Sequence, residues 1–249
     1  MEIMDIKNLN KSFGGIRAIV DLAFSIESGE VLGIIGPNGA GKTTLFNLLS
    51  GFLKPDSGSI KFKGMELTRK NAHQIVNLGI ARTFQIPKPF FDMNVLETLL
   101  IPFFSPRGRR LGLDNERVET RALRILNKLG LESKLTQNVM TLSQGEHRLL
   151  DIGRALATEP EVILLDEPFS GLGQDNIDIV SKLLISMKME GVSVIIIEHH
   201  LKELMRLVER VIVINFGNRI AAGTPAQIVQ DRNVIEAYLG QKGKKLGFT

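Results

Sequence analysis

Residues 36–43 read Gly36-Pro37-Asn38-Gly39-Ala40-Gly41-Lys42-Thr43, and that spacing suits one kind of chemistry. Three glycines let the backbone curl until successive N–H groups converge on a single anion. Lys42 adds a cation for the outer phosphates of a nucleoside triphosphate, and the Thr43 hydroxyl is placed for Mg²⁺. A helix starting there would aim the positive end of its dipole at the same point. Thr44 reads as a first-turn helix residue with a minor phosphate contact. A second element, Val162-Ile163-Leu164-Leu165-Asp166-Glu167-Pro168, is four apolar residues ending in two carboxylates. A buried strand of this kind presents its last side chains at the carboxyl edge of a sheet, where ligands bind in open α/β folds. Asp166 would hold Mg²⁺, mostly through water, because Mg²⁺ dehydrates reluctantly. Glu167 is then free to orient and deprotonate an attacking water. The pair of elements points to binding and hydrolysis of ATP.

The segments around these residues must deliver them to one place. Residues 31–35 form a short apolar run that reads as a buried strand feeding the phosphate loop, and residues 43–53 read as the helix leaving it. Residues 1–26 alternate loosely between apolar and polar, which predicts antiparallel strands around a turn at 11–15. Pro55-Asp56-Ser57-Gly58 is a turn signal, with a strand predicted at 59–63. Residues 87–106 carry prolines and phenylalanines with little regular alternation, whereas 117–129 and 145–157 are amphipathic. Strands at 162–165, 192–197 and 211–214 then alternate with helices at 177–190 and 201–208, the pattern of a parallel sheet covered by helices. The predicted fold class is α/β: a mostly parallel core, an N-terminal antiparallel β subdomain and an inserted helical subdomain. The expected division is 1–85 for the first part of the nucleotide-binding core, 86–160 for the helical subdomain, and 161–249 for the rest of the core and a tail. Lysines at 242–245 read as solvated.

Composition narrows the setting. The chain has 249 residues, 43% hydrophobic and 23% charged, as soluble globular proteins do. No apolar run approaches the roughly 18–20 residues of a membrane span. There is no cysteine, hence no disulfide framework and no thiolate metal site. The start has neither a basic nor an apolar leader region, so secretion is not expected. Thirty-one basic residues against 27 acidic is a mild excess. No basic stripe with interleaved aromatics accompanies it, so nucleic acid is not an expected partner.

Leu142-Ser143-Gln144-Gly145-Glu146 lies ahead of the second acidic element. It resembles the Leu-Ser-Gly-Gly-Gln signature of ATP-binding-cassette ATPases, and the similarity runs over nearly the whole chain with the elements in order. The resemblance implies a P-loop ATPase core whose site is shared between two subunits. It implies that Phe13 stacks on adenine, with Ala18 beneath the base. It places Gln85 against Mg²⁺ and the attacking water, residues 170–173 in the loop that follows the catalytic acid, and His199 on the γ-phosphate. His200 is adjacent, but in this family the histidine directly follows the acidic residue that ends the strand, here Glu198. The implied catalytic residues are Glu167, His199, Gln85 and Lys42. The nucleotide would be held by Phe13, Ala18, residues 36–44 and, from a second subunit, Ser143 and Gly145. The metal would lie on Thr43, Gln85 and Asp166. This chain departs from the pattern at Gln144, which replaces a glycine, and at Glu146, which replaces a glutamine and should repel a polyphosphate unless it points away. It departs again at Gly173, which replaces an aspartate.

The same resemblance implies partners. One is a second ATPase subunit, in a homodimer or a related heterodimer. The others are transmembrane permease subunits docking on the helical subdomain near residues 90–95, where Phe90, Phe91 and Met93 suit either a groove or the subdomain's own core. That places the chain in the cytoplasm, peripheral on the inner or plasma membrane. Residues 79–85, 94–99, 223–225 and 234–240 are similar to the branched-chain amino-acid uptake branch. They are also similar to the ATPases of lipopolysaccharide export and urea uptake. Residues 102–116 look short and basic for the first of these. A cassette serving a soluble partner, a nucleic-acid-associated ATPase and a nucleotide-gated module with little turnover are the rival readings.

Overall fold

The computed structural model describes residues 1–86, 88–110, 112 and 114–239. The lysines at 242–245 and Pro87 lie outside the described residues. Among the described residues, ten strands run in chain order as β1 (Glu2–Phe13), β2 (Ile16–Glu27), β3 (Val31–Ile35), β4 (Ser57–Phe62), β5 (Met65–Glu66), β6 (Ile80–Arg82), β7 (Val162–Asp166), β8 (Ser193–Ile197), β9 (Arg210–Asn215) and β10 (Asn218–Gly223). The helices are α1 (Lys42–Leu49), α2 (Ala72–Leu78), α3 (Val95–Leu100), α4 (Pro106–Arg110), α5 (Asn115–Lys128), α6 (Gln144–Leu156), α7 (Gln174–Met189), α8 (Leu201–Leu207), α9 (Pro225–Gln230) and α10 (Arg232–Leu239).

The strands form two sheets, one antiparallel in the order β2-β1-β4-β5 and one in the order β10-β9-β3-β8-β7-β6. The second is parallel apart from the antiparallel pair of β9 and β10. Its central strands are apolar on both faces because both faces are covered. Ile163, Leu165, Val194 and Ile196 join the core shared with the helical layer. Leu164, Ile195, Ile197 and Ile212 face the other core, with Phe46 of α1 and the inner residues of the antiparallel sheet. Between β6 and β7 the described elements are all helical.

Register fixes the working edge. Asp166 pairs with Ile197, and Ile34 also pairs with Ile197. The chain therefore leaves β3, β7 and β8 at one level, just where residues 36, 167 and 198 begin. Arg82 pairs with Leu164, so the segment after β6 reaches the same level a few residues on.

Several expectations shift. The helix after the phosphate loop ends at Leu49, not at 53, because Gly51 turns left-handed at φ 74° and packs against the Lys70 carbonyl. The stretch from 87 to 106 contains α3, opened by a capping box in which Asn94 accepts from the Glu97 N–H. A 3₁₀ turn follows at Ile101–Phe104. Val192 lies ahead of β8 rather than in it. Gln85 stands three residues beyond the end of β6.

Candidate active site

The phosphate loop leaves β3 buried and returns to the surface at Asn38 and Gly39. Gly36 has no room for a side chain, since a Cβ there would lie 2.0 Å from the Ile214 carbonyl oxygen. Gly41 caps α1 in the left-handed region at φ 105°, which a residue with a Cβ resists. Lys42, buried at 7% exposure, folds over the loop and donates to the carbonyls of Gly36 at 2.6 Å and Pro37 at 2.9 Å. Burial pushes its ammonium below the ordinary lysine value, against the pull of Glu167 and Asp166. A cavity of about 730 Å³ opens over this loop. Gly39, Lys42, Thr43 and Thr44 line it from below, and Gln85, Glu167 and His199 line it from across the sheet edge.

Glu167 is the hub of the far wall. It sits at φ 51°, a region that non-glycine residues seldom occupy and that often marks functional turns. Its N–H is tied to the Ile197 carbonyl at 2.8 Å. Its carboxylate accepts from Gln85 Nε2 at 3.1 Å and lies 2.8 Å from His199 Nε2. Three separate segments, after β6, β7 and β8, thus meet in one hydrogen-bonded trio.

Two buried groups to which the sequence assigned no role support this trio. Glu198, 1% exposed, accepts from the backbone N–H groups of His199, His200 and Phe169 at 2.9, 3.1 and 3.0 Å. It joins the histidine segment to the turn after Glu167. Arg82 donates to Asp166 Oδ2 at 3.0 Å and to Asn47 Oδ1 and Ser50 Oγ at 2.7 and 2.9 Å. Burial drives the Asp166 carboxyl above the ordinary aspartate value, and the Arg82 charge opposes that drift. Neither role is visible in a linear pattern, because the partners are backbone atoms or lie tens of residues away.

Not every predicted residue is at the cavity. Ala18 lines it together with Ile16, Arg17 and Phe216, three residues that carried no motif. Phe13 stands exposed at the hairpin end, with Lys11 Nζ 5.5 Å from its ring centre. Gly36 and Pro37 shape the loop from beneath, and Asp166 sits behind Glu167 with its side chain 5% exposed. The oxygen donors Thr43, Gln85 and Asp166 are of the hard type that Mg²⁺ takes. Only one Asp166 oxygen is engaged by Arg82, so the set fits that ion.

Ser143 and Gly145 do not line the cavity. Ser143 caps α6 in a reciprocal box with Glu146: the Ser143 N–H donates to Glu146 Oε2 at 2.8 Å, and the Glu146 N–H donates back to Ser143 Oγ at 3.3 Å. Lys134 Nζ pairs with the other Glu146 oxygen at 2.6 Å. The acid that replaces the expected glutamine is therefore turned into its own helix and neutralised. Gly145 lets α6 approach α7, because a Cβ there would meet Asn176 Nδ2 at 2.3 Å. Gly173 is the N-cap of α7 and has no neighbour within 4 Å of a built Cβ.

Comparison with known proteins agrees with this fold. The ABC transporter family pattern matches residues 19–170. That of the branched-chain amino acid ATP-binding cassette transporter matches residues 219–243. The high-affinity branched-chain amino acid transport ATP-binding protein BraF of Pseudomonas aeruginosa is 36% identical over 253 residues, 96% of this chain and 98% of that protein. Its counterpart LivG of Escherichia coli is 33% identical over 252 residues, with the same coverage. Among solved structures, a nucleotide-free ATP-binding cassette of an ABC transporter superposes with TM-score 0.86 at 34% identity, covering 96% of this chain and 99% of that one. The ADP conformation of such a cassette gives 0.85 at 35%, with the same coverage. A dimeric post-hydrolysis cassette bound to ADP and phosphate gives 0.79 at 26%, covering 90% and 99%.

Proposed function

This chain belongs to the ABC transporter family of ATPases, and on that premise we propose that it powers uptake of branched-chain amino acids by binding and hydrolysing ATP between two subunits. The observation that carries the reading is the trio of Gln85, Glu167 and His199 facing Lys42 across one cavity. The likeness to BraF and LivG, whose names specify branched-chain amino acid transport, supports the substrate.

The roles assigned in this reading are these. Residues 36–44 cradle the phosphates, while Phe13 and Ala18 receive the adenine. Lys42 exchanges its two carbonyl partners for phosphate oxygens and stabilises charge on the transferred group. Thr43, Gln85 and Asp166 would hold Mg²⁺, which when bound neutralises phosphate charge. Glu167 takes a proton from the attacking water, Gln85 holds that water against it, and His199 bridges Glu167 to the γ-phosphate. Ser143 and Gly145 complete the site of a second copy or a related subunit. The γ-phosphate then closes the pair, and its loss opens it.

Force leaves through residues 86–160, the unit that we assign as the helical subdomain. Phe91 is 53% exposed and Phe90 37% exposed, whereas Val95 is fully buried. Phe90 and Phe91, not Val95, are the candidates for contact with a permease at the cytoplasmic face. Purification of the tagged chain from detergent-solubilised native membranes tests the assignment. Two membrane-spanning subunits should accompany it, and Phe91→Asp should release them. Recovery of soluble partners alone would contradict it.

A further inference from the structure

One face of α6 carries three ionic side chains at intervals of three, and all three reach the backbone that presents Gln85. Arg148, 4% exposed, donates through Nη1 to the Phe84 carbonyl at 2.5 Å and through Nη2 to the Gln85 carbonyl. Asp151 Oδ2 accepts from the Phe84 N–H at 3.4 Å. Arg154 donates to the Lys88 carbonyl at 3.0 Å and lies 4.5 Å over the ring centre of Phe90. A planar fork bridging two successive carbonyls fixes a peptide in orientation as well as position, which a point cation does not do.

The helix that is gripped in this way is capped by Ser143. At the other end of the grip, the Gln85 side chain holds Glu167 at 3.1 Å. We propose that Arg148 is a positioning residue for hydrolysis: it locks the Gln85 backbone to α6, so that movement of the helix bearing Ser143 is transmitted within the same chain to the water-activating carboxylate. This deepens the reading of Gln85 and Glu167 given above and rests on it. Arg148 does not line the cavity over the phosphate loop. Its loss should therefore lower kcat and leave ATP binding in place. Binding is read here with a fluorescent ATP analogue, which also reports that the phosphate loop is folded.

A double-mutant cycle with Gln85 separates a positioning role from a general structural one, because residues acting through one another are non-additive. Arg148→Met should reduce kcat about tenfold in the parent, with analogue affinity within about twofold, a loss of about 1.4 kcal/mol in transition-state stabilisation. In a Gln85→Ala background the same substitution should cost less than about twofold. Arg148→Lys, which keeps the charge and loses the fork, should fall between. An unchanged kcat in Arg148→Met, or an equal fold-loss in both backgrounds, overturns the proposal. Parental kcat in Gln85→Ala alone would remove the reading of Gln85 itself, and the proposal with it. A loss of analogue affinity in Arg148→Met that matches the loss of kcat would mark the residue as merely structural.

Discussion

Among single residues, Glu167 holds the central place in the proposed site. Its left-handed backbone, its hydrogen bond to Gln85 and its approach to His199 leave its carboxylate beside the phosphate loop. Glu167→Gln keeps the shape and removes the proposed base. ATP binding by calorimetry should stay within about threefold of the parent, and steady-state turnover should fall about 10²- to 10⁴-fold. Parental turnover would take Glu167 out of the role of base. Gly36 to Thr43 and Asp166-Glu167 were readable at this scale because each function sits on consecutive residues with its own local chemistry. Glu198 and Arg148 were not. Glu198 works by accepting three N–H groups, one of them 29 residues back in the chain, and Arg148 grips carbonyls 63 and 64 residues away. Backbone partners leave no side-chain type to recognise.

Among the elements, strands were more legible than short helices. β3, β7, β8 and β9 are buried on both faces, so each reads as an unbroken apolar run. β6 is only three residues long at the sheet edge, and α3 is six residues between prolines, too short to show a period. The Asn94–Glu97 box that opens α3 was its one sequence mark. The last helix, α10, offers an unusually clean test of packing, because Tyr238 is the one tyrosine in the chain. Burial pushes its phenol up to about 12 from an ordinary 10.0. A raised pKa means that the folded state holds its proton longer than the unfolded one. The stability tied to this difference is complete below pH 10.0 and drains away as pH climbs toward about 12. Phenolate absorbance should therefore appear near pH 12 in the folded protein and near 10 after denaturation. Tyr238→Phe should lose less stability over that interval than the parent. A native titration near 10 would show that α10 does not bury its ring.

For the whole molecule, the informative point is separation. The cavity gathers Lys42, Gln85, Glu167 and His199, while Ser143 and Gly145 face elsewhere at the start of α6. A pattern in sequence could place Ser143 in the same family of motifs. The resemblance implied that Ser143 serves a second subunit; the fold adds that Ser143 lies off its own chain's cavity, a property of the assembled sheet and helical layer. On the proposed reading, the two halves meet only when a second subunit is present, with ATP as the joint. The most direct measurement is the sedimentation mass of the Glu167→Gln protein with ATP and Mg²⁺, then with ADP. The account predicts a dimer with ATP that reverts to monomer with ADP, and loss of the ATP-bound dimer when Ser143 is changed to Arg. A monomer under both conditions, or a dimer indifferent to nucleotide and to Ser143, would contradict it.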